Sequence, residues 1–232
     1  MVNKLITTPK NIKESLSGLM IIEGVIENSH VGAVSYKDVY MKPILEGALT
    51  SDDYQVRQMS AYGIGIAAIS LGDDFVPYTQ QALMNLNKVI TAPDAFQDLN
   101  KFVTENAISS IGKILESQRS GLDHYQIFAN WVQLLPLKTD KIEARTCHRI
   151  FLKFVANQQF FGHFLGNMSY YGTVAKVVEI LGDVVDTDLV DKDDAQTIAQ
   201  ICKIVLPRLT NEVSALVSQK SANRLQAFLQ KF

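Results

Sequence analysis

Little in this sequence points to chemistry. Its two cysteines, Cys147 and Cys202, stand 55 residues apart and form no CxxC pair. That leaves no cysteine framework and suits a reducing compartment, cytosol or nucleus. Basic charge is not in excess: 22 Lys and Arg against 24 Asp and Glu give a net charge of −2, with a pI near 6.1. A direct nucleic-acid binder needs a concentrated basic face, so none is expected. No apolar run approaches a membrane span; even Ile64 to Leu71 contains Ser70 and is bounded by glycines. Met1 to Lys10 is polar and lacks the apolar core of a signal peptide. Strand-like alternation is missing as well.

What is present is helical spacing. Hydrophobic residues make up 47% and charged residues 20%, the balance of a folded chain, and apolar residues recur every three or four positions throughout. The most informative stretch runs from Asp53 through Arg57 to Gly63, Gly65 and Ala68. An Asp and an Arg four residues apart open a helix where they can pair on one face. Small residues after them let that helix lie close to its neighbours. A related opening, Asp140-Lys-Ile-Glu143-Ala144-Arg145, follows 87 residues later, two periods of roughly 43, the spacing of HEAT units.

The expected fold is therefore all-α: an α-solenoid of about five HEAT-type helical hairpins spanning 1–232 as a single segment. The hairpins are 11–49 (with a leading helix over 11–28), 36–71, 74–118, 123–158 and 169–206, with a final helix over 211–231. Gly72-Asp73-Asp74, Ala92-Pro93-Asp94 and Pro136 to Thr139 mark turns. The glycine- and aromatic-rich stretch from Phe160 to Asn167 reads as a link. The second helices of the pairs (11–28, 52–71, 95–118, 140–158, 191–206) line the concave side by the usual convention.

Catalytic and metal-binding constellations do not emerge. Gly63-Ile-Gly65 lies mid-helix without the strand and third glycine of a dinucleotide loop, and reads as close helix packing. His30, His124, His148 and His163 lack ligand spacing. Cys147 and His148 point about 100° apart on a helix. Trp131, three residues after Phe128 and four before Leu135, belongs to a core-facing stripe. No catalytic, cofactor-binding or metal residue is assigned, no cofactor is implied, and the chain is read as a non-enzyme.

Several motifs carry a resemblance. Val56-Arg57-Gln58 with Ala61 to Gly65, Thr104-Glu105-Asn106-Ala107-Ile108-Ser109-Ser110-Ile111-Gly112-Lys113-Ile114, and Trp131 to Pro136 followed by Asp140 to Ala144 resemble the importin-β (karyopherin-β) nuclear transport receptors. Their order resembles the C-terminal part of such a receptor, in the branch called importin five or importin beta three. The resemblance covers residues 12–160 well and 169–231 weakly. It implies a scaffold that helps bind basic protein cargo for Ran-dependent transport between cytoplasm and nucleus. Ran and nucleoporins are implied as partners of a full-length receptor, and the family's main Ran-binding repeats are not matched here. A HEAT scaffold of a phosphatase or chromosome-associated complex predicts the same fold with other partners.

On a concave helix 95–118, the polar face would offer Asp98, Glu105, Asn106, Ser109 and Glu116 to cargo, opposite the stripe of Leu99, Val103, Ala107, Ile111 and Ile114. A solvated charged face is the plainer alternative, since Lys101 borders it. Asp183, Asp186, Asp188, Asp191, Asp193 and Asp194 form the densest acidic cluster and suit the capping of helix 191–206.

Overall fold

The computed structural model describes residues 4–5, 8–118 and 121–232, all but the side chains of Gly47 and Ala48. The described residues form helices and turns, with no strand among them. The chain divides into two compact units, 1–123 and 124–232.

The first unit holds α1 (Ile12–Asn28), α2 (His30–Lys42), α3 (Tyr54–Leu71), α4 (Val76–Ile90) and α5 (Asn100–Ser117). A π-helical turn (Pro43–Gly47) and a 3-10 turn (Ala48–Thr50) lead from α2 to α3. Side chains capping first-turn N–H groups set several starts. Asn11 accepts from Glu14 N–H, Ser29 from Gly32 N–H, and Asp53 from Gln55 and Val56 N–H. Because Ser29 caps a helix at His30, α2 begins well before the expected residue 36. Asp53 is thus engaged by backbone N–H groups, and Arg57 turns elsewhere. α5 begins at Asn100 and not at 95, because Thr91 to Leu99 form successive turns in which Asp98 takes a positive φ of 39°.

Packing follows chain order. α1 lies on α3 and α3 on α5, while α2 packs on α3 and α4 on α5. The α3–α5 approach depends on Gly65, where an added Cβ would sit 2.7 Å from Lys113 Cδ and 3.0 Å from Ser110 Cα. At that point Ser110 Oγ donates to the Ala61 carbonyl at 2.6 Å. Gly65 serves close helix packing, as its sequence position implied, whereas a Cβ at Gly63 would meet only ordinary contacts, 3.4 Å from Glu23 Oε1 and 3.5 Å from Ile44 Cδ1.

The second unit holds α6 (His124–Val132), α7 (Lys141–Ala156), α8 (Gln158–Leu165), α9 (Tyr171–Val184), α10 (Asp194–Val205), α11 (Asn211–Leu216) and α12 (Gln219–Leu229). The expected link over 160–167 is instead largely the helix α8. Asn157 caps it by accepting from Phe160 N–H at 3.0 Å, and Phe161 and Phe164 are buried among aromatic neighbours. That burial outweighs the cost of Gly162 in a helix, about 1 kcal/mol relative to Ala. Trp131 is buried against Phe128. The expected final helix over 211–231 is broken at Val217 and Ser218, where the Ser218 side chain caps α12.

In this unit α6 packs on α9, α7 on α10, and α9 on both α11 and α12. Many side-chain ties reach one repeat onward. Arg57 to Asn100 and Arg145 to Asp188 are each separations of 43 residues, Asn85 to Leu45 is 40, and Ser221 to Glu179 is 42. The period read from the Asp-led openings is the period at which one hairpin bonds to the next.

Candidate interaction surface

The residues expected to form one cargo-facing surface are not brought together as one. Asp98 lies before α5, exposed, in the turn that precedes the helix. Glu105, Asn106 and Ser109 are buried, and Glu116 is half-buried. Asn106 Nδ2 donates to the Phe102 carbonyl at 2.9 Å. The Ser109 hydroxyl is buried without a hydrogen-bond partner among the described residues. From Val103 to Leu115 every residue of α5 is buried. The polar face is therefore corrected to an interior one: α5 packs against both α3 and α4, so polar and apolar sides alike are covered.

Three polar assemblies stand out. The first is a groove in the first unit, about 660 Å³, where the turn after α2 and the start of α3 meet α4 and the start of α5. Glu46, Asp52, Asp94 and Lys88 line it, all exposed, above apolar wall residues such as Leu49, Val89 and Val103. Arg57 also lines it, with its guanidinium fixed inward. It donates to the carbonyls of Ser51 and Asp52 at 2.6 and 2.8 Å and to Asn100 Oδ1 at 2.6 Å. Asn100 in turn donates to Asp94 at 2.8 Å, and Gln81 to Glu46 at 3.4 Å.

The second is the corresponding seam of the second unit, between α7 and the turn before α10. Lys141 pairs with Asp188, and Arg149 with Asp191. Arg145 reaches Asp191 at 3.8 Å and the Asp188 carbonyl at 3.0 Å. Arg149 lies 4.0 Å from Asp194, which accepts from Asp191 N–H at 3.1 Å. Elsewhere in the cluster, Asp183 meets Arg224 at 3.7 Å and Lys138 at 4.0 Å, and Asp186 meets Lys231 at 2.6 Å. Asp183, Asp186, Asp188, Asp191 and Asp194 are thus built into ties, while Asp193, at the start of α10, makes no side-chain capping bond; Lys141 holds the Asp188 carboxyl below its ordinary range. His148 completes the seam. Leu137 N–H donates to its Nε2 at 3.1 Å, leaving Nδ1 to donate to the Leu189 carbonyl at 2.8 Å.

The third is a buried cluster in the first unit. Glu23 of α1 is only 8% exposed, and its Oε1 has no hydrogen-bond partner among the described residues. Burial, reinforced by neighbouring Glu27 and opposed by Lys113, pushes its carboxyl up to about 8. Lys113, equally buried, holds its ammonium 4.4 Å from the centre of the Tyr62 ring, and the Tyr62 hydroxyl bonds Glu27.

Sequence reading missed the groove and the Glu23 cluster. The groove's residues come from the ends of four elements, so no periodicity joins them. Glu23 and Lys113 look like ordinary helical charges until the helices pack. No group of three or more His, Cys, Asp or Glu among the described residues is placed to hold a metal ion, and no described helix is long and apolar enough to cross a membrane.

No family model matches the chain. Among curated proteins, a probable importin-5 homolog of Dictyostelium discoideum is 27% identical over 207 residues, covering 84% of the chain and 18% of that protein. The importin subunit beta-3 of Saccharomyces cerevisiae is 27% identical over 140 residues, covering 60% of the chain and 13% of that protein. The chain therefore spans less than a fifth of the length of these relatives. Among solved structures, an engineered protein aligns over 99% of the chain and 98% of its own at 12% identity, with a TM-score of 0.47. A likeness that low carries no argument.

Proposed function

From the relationship of the chain to the importin-β family, we propose that it is a segment of a nuclear transport receptor. In this reading it is a non-enzymatic scaffold that helps bind protein cargo for Ran-dependent nucleocytoplasmic transport. The observation that carries the reading is the 207-residue similarity to the Dictyostelium discoideum probable importin-5 homolog. The fold supports it, since hairpins tied to their neighbours at the repeat spacing let small rotations at successive interfaces add along an array. The parent receptor would engage Ran and nucleoporins and move between cytoplasm and nucleus. Of the residues expected to face cargo, Asp98 and Glu116 keep exposed surface and stay in the proposal as contacts. Glu105, Asn106 and Ser109 would act only by shaping α5.

A chimera tests this. The chain replaces the matched segment of the yeast importin subunit beta-3, and nuclear accumulation of a cargo of that receptor is followed in permeabilised cells. The expected result is accumulation that depends on energy and Ran, with release by GTP-loaded Ran. A folded, soluble chimera that supports no accumulation would overturn the proposal. The isolated chain is expected to bind GTP-loaded Ran weakly or not at all in titration calorimetry, because the family's main Ran-binding repeats lie outside the matched segment. Submicromolar binding would show that the segment is misplaced.

A further inference from the structure

We propose that Glu23, Glu27, Tyr62 and Lys113 form a proton-operated latch: α1 rests closed on α3 while Glu23 holds a proton, and parts from it when that proton leaves for water. It does not depend on the receptor reading. Glu23 is only 8% exposed. Its Oε1 faces α3, 3.4 Å from where a Cβ on Gly63 would sit, and has no hydrogen-bond partner among the described residues. A neutral carboxyl can stay there. An ionised one in the same place is a buried charge with an unmet acceptor, which is strongly disfavoured until water reaches it. The short route for water is the α1–α3 contact itself, because Glu27, one turn after Glu23, already stands exposed at its edge.

The cluster reaches across three helices that lie one upon the next. Glu27 of α1 accepts from the Tyr62 hydroxyl of α3. The Tyr62 ring carries the Lys113 ammonium of α5, 4.4 Å from its centre. The Lys113 stem crosses α3 at Gly65, its Cδ 2.7 Å from where a Cβ would sit. Charges therefore act on Glu23 from two helices: Glu27 opposes its ionisation and Lys113 favours it. α2 also packs on α1, and none of its charged groups is among those acting on Glu23. With burial added, the closed form keeps the proton up to about pH 8, whereas a carboxyl in water gives it up near 4.5. The closed form binds the extra proton, so opening becomes easier as pH rises through that window and levels off above it. A small rotation at one joint adds along a stack of hairpins, so a single proton can alter how the hairpins curve.

The test uses the full chain with 13C in its glutamate carboxyls. A second sample carries nitroxide labels at Met20→Cys and Ile69→Cys, exposed positions of α1 and α3; the native cysteines are buried and stay unlabelled. Between pH 4 and 9.5 the Glu23 carboxyl is expected to titrate well above 4.5 and no higher than about 8. A second, longer label distance, read by pulsed electron resonance, should grow with the same midpoint. Glu23→Gln should keep the short distance at every pH. Glu27→Gln, at an exposed position, should lower the midpoint, and Lys113→Met should raise it. Lys113 is buried, so if Lys113→Met does not fold, the Glu27→Gln shift decides alone. Titration of Glu23 near 4.5 would overturn the latch. So would label distances that ignore its titration, a longer distance that persists in Glu23→Gln, or a midpoint that Glu27→Gln fails to lower.

Discussion

The two seams are built at the same repeat position from opposite materials. In the first unit, α3 meets α5 through a glycine, a serine-to-carbonyl bond and an inward-turned arginine. In the second, α7 meets the turn before α10 through exposed ion pairs. Packed contacts hold the first whatever the salt, whereas the second adds to its buried His148 bonds a layer of exposed charge pairs that salt weakens. The difference teaches that a repeat fixes where neighbouring hairpins join, and leaves open how.

The largest expected effect sets the two regions against each other in pH. Glu23 keeps its proton in the folded chain up to about pH 8, while its ordinary value is 4.5. Its folded-state value is raised, so the folded form binds more protons across that window and stability falls as pH rises from about 4.5 through 8. The full shift corresponds to an effect on the order of 5 kcal/mol, read by urea unfolding, and Glu23→Gln should flatten the profile. Asp188 has the opposite sign: its value is lowered by Lys141, so its contribution is present above the ordinary carboxylate range and fades as pH falls. Hydrogen exchange resolved by residue should show the first unit loosening toward alkali and the second toward acid. Loosening of both in the same direction would break the contrast.

Next in size is Gly65→Val. With Ser110 Cα only 3.0 Å from where a first carbon would go, overpacking should cost about 2–3 kcal/mol. The loss should be the same at 0.05 and 1 M sodium chloride. A cost below 0.5 kcal/mol would show that α3 and α5 separate easily.

Arg57→Met should cost about 1–2 kcal/mol, because the carbonyls of Ser51 and Asp52 and the amide of Asn100 lose their charged donor. Denaturant midpoints measured with Arg57→Lys beside it would separate shape from charge. Lysine should rescue only in part, since it lacks the planar fork.

Asp191→Asn is the smallest change, expected below about 1 kcal/mol in low salt and near zero in 1 M salt. A salt-insensitive loss of several kcal/mol would mean that the second seam is not held as its exposure suggests.

Much of the fold was legible because helix starts are local. Asp53 and Asp140 cap where their sequence context placed them, and the 43-residue spacing reappears in side-chain bonds. α8 was not legible, because two glycines and three phenylalanines look like a link until Asn157 caps and Phe161 and Phe164 find neighbours. The polar face of α5 misled for a related reason. Periodicity separates polar from apolar sides, but it does not say that only one side will be covered, and packing on α3 and α4 covers Glu105, Asn106 and Ser109 together. The groove left no periodic trace at all, since Glu46, Asp52 and Asp94 sit in turns.

His148 gives the second seam a built-in reporter. Its ring proton is fixed on Nδ1 by the Leu137 amide at the other nitrogen and points at the Leu189 carbonyl, fully buried. Such a proton is shielded from water, so it should give its own slowly exchanging nuclear magnetic resonance signal. The lifetime of that signal would time the opening of a single joint between hairpins, without any label.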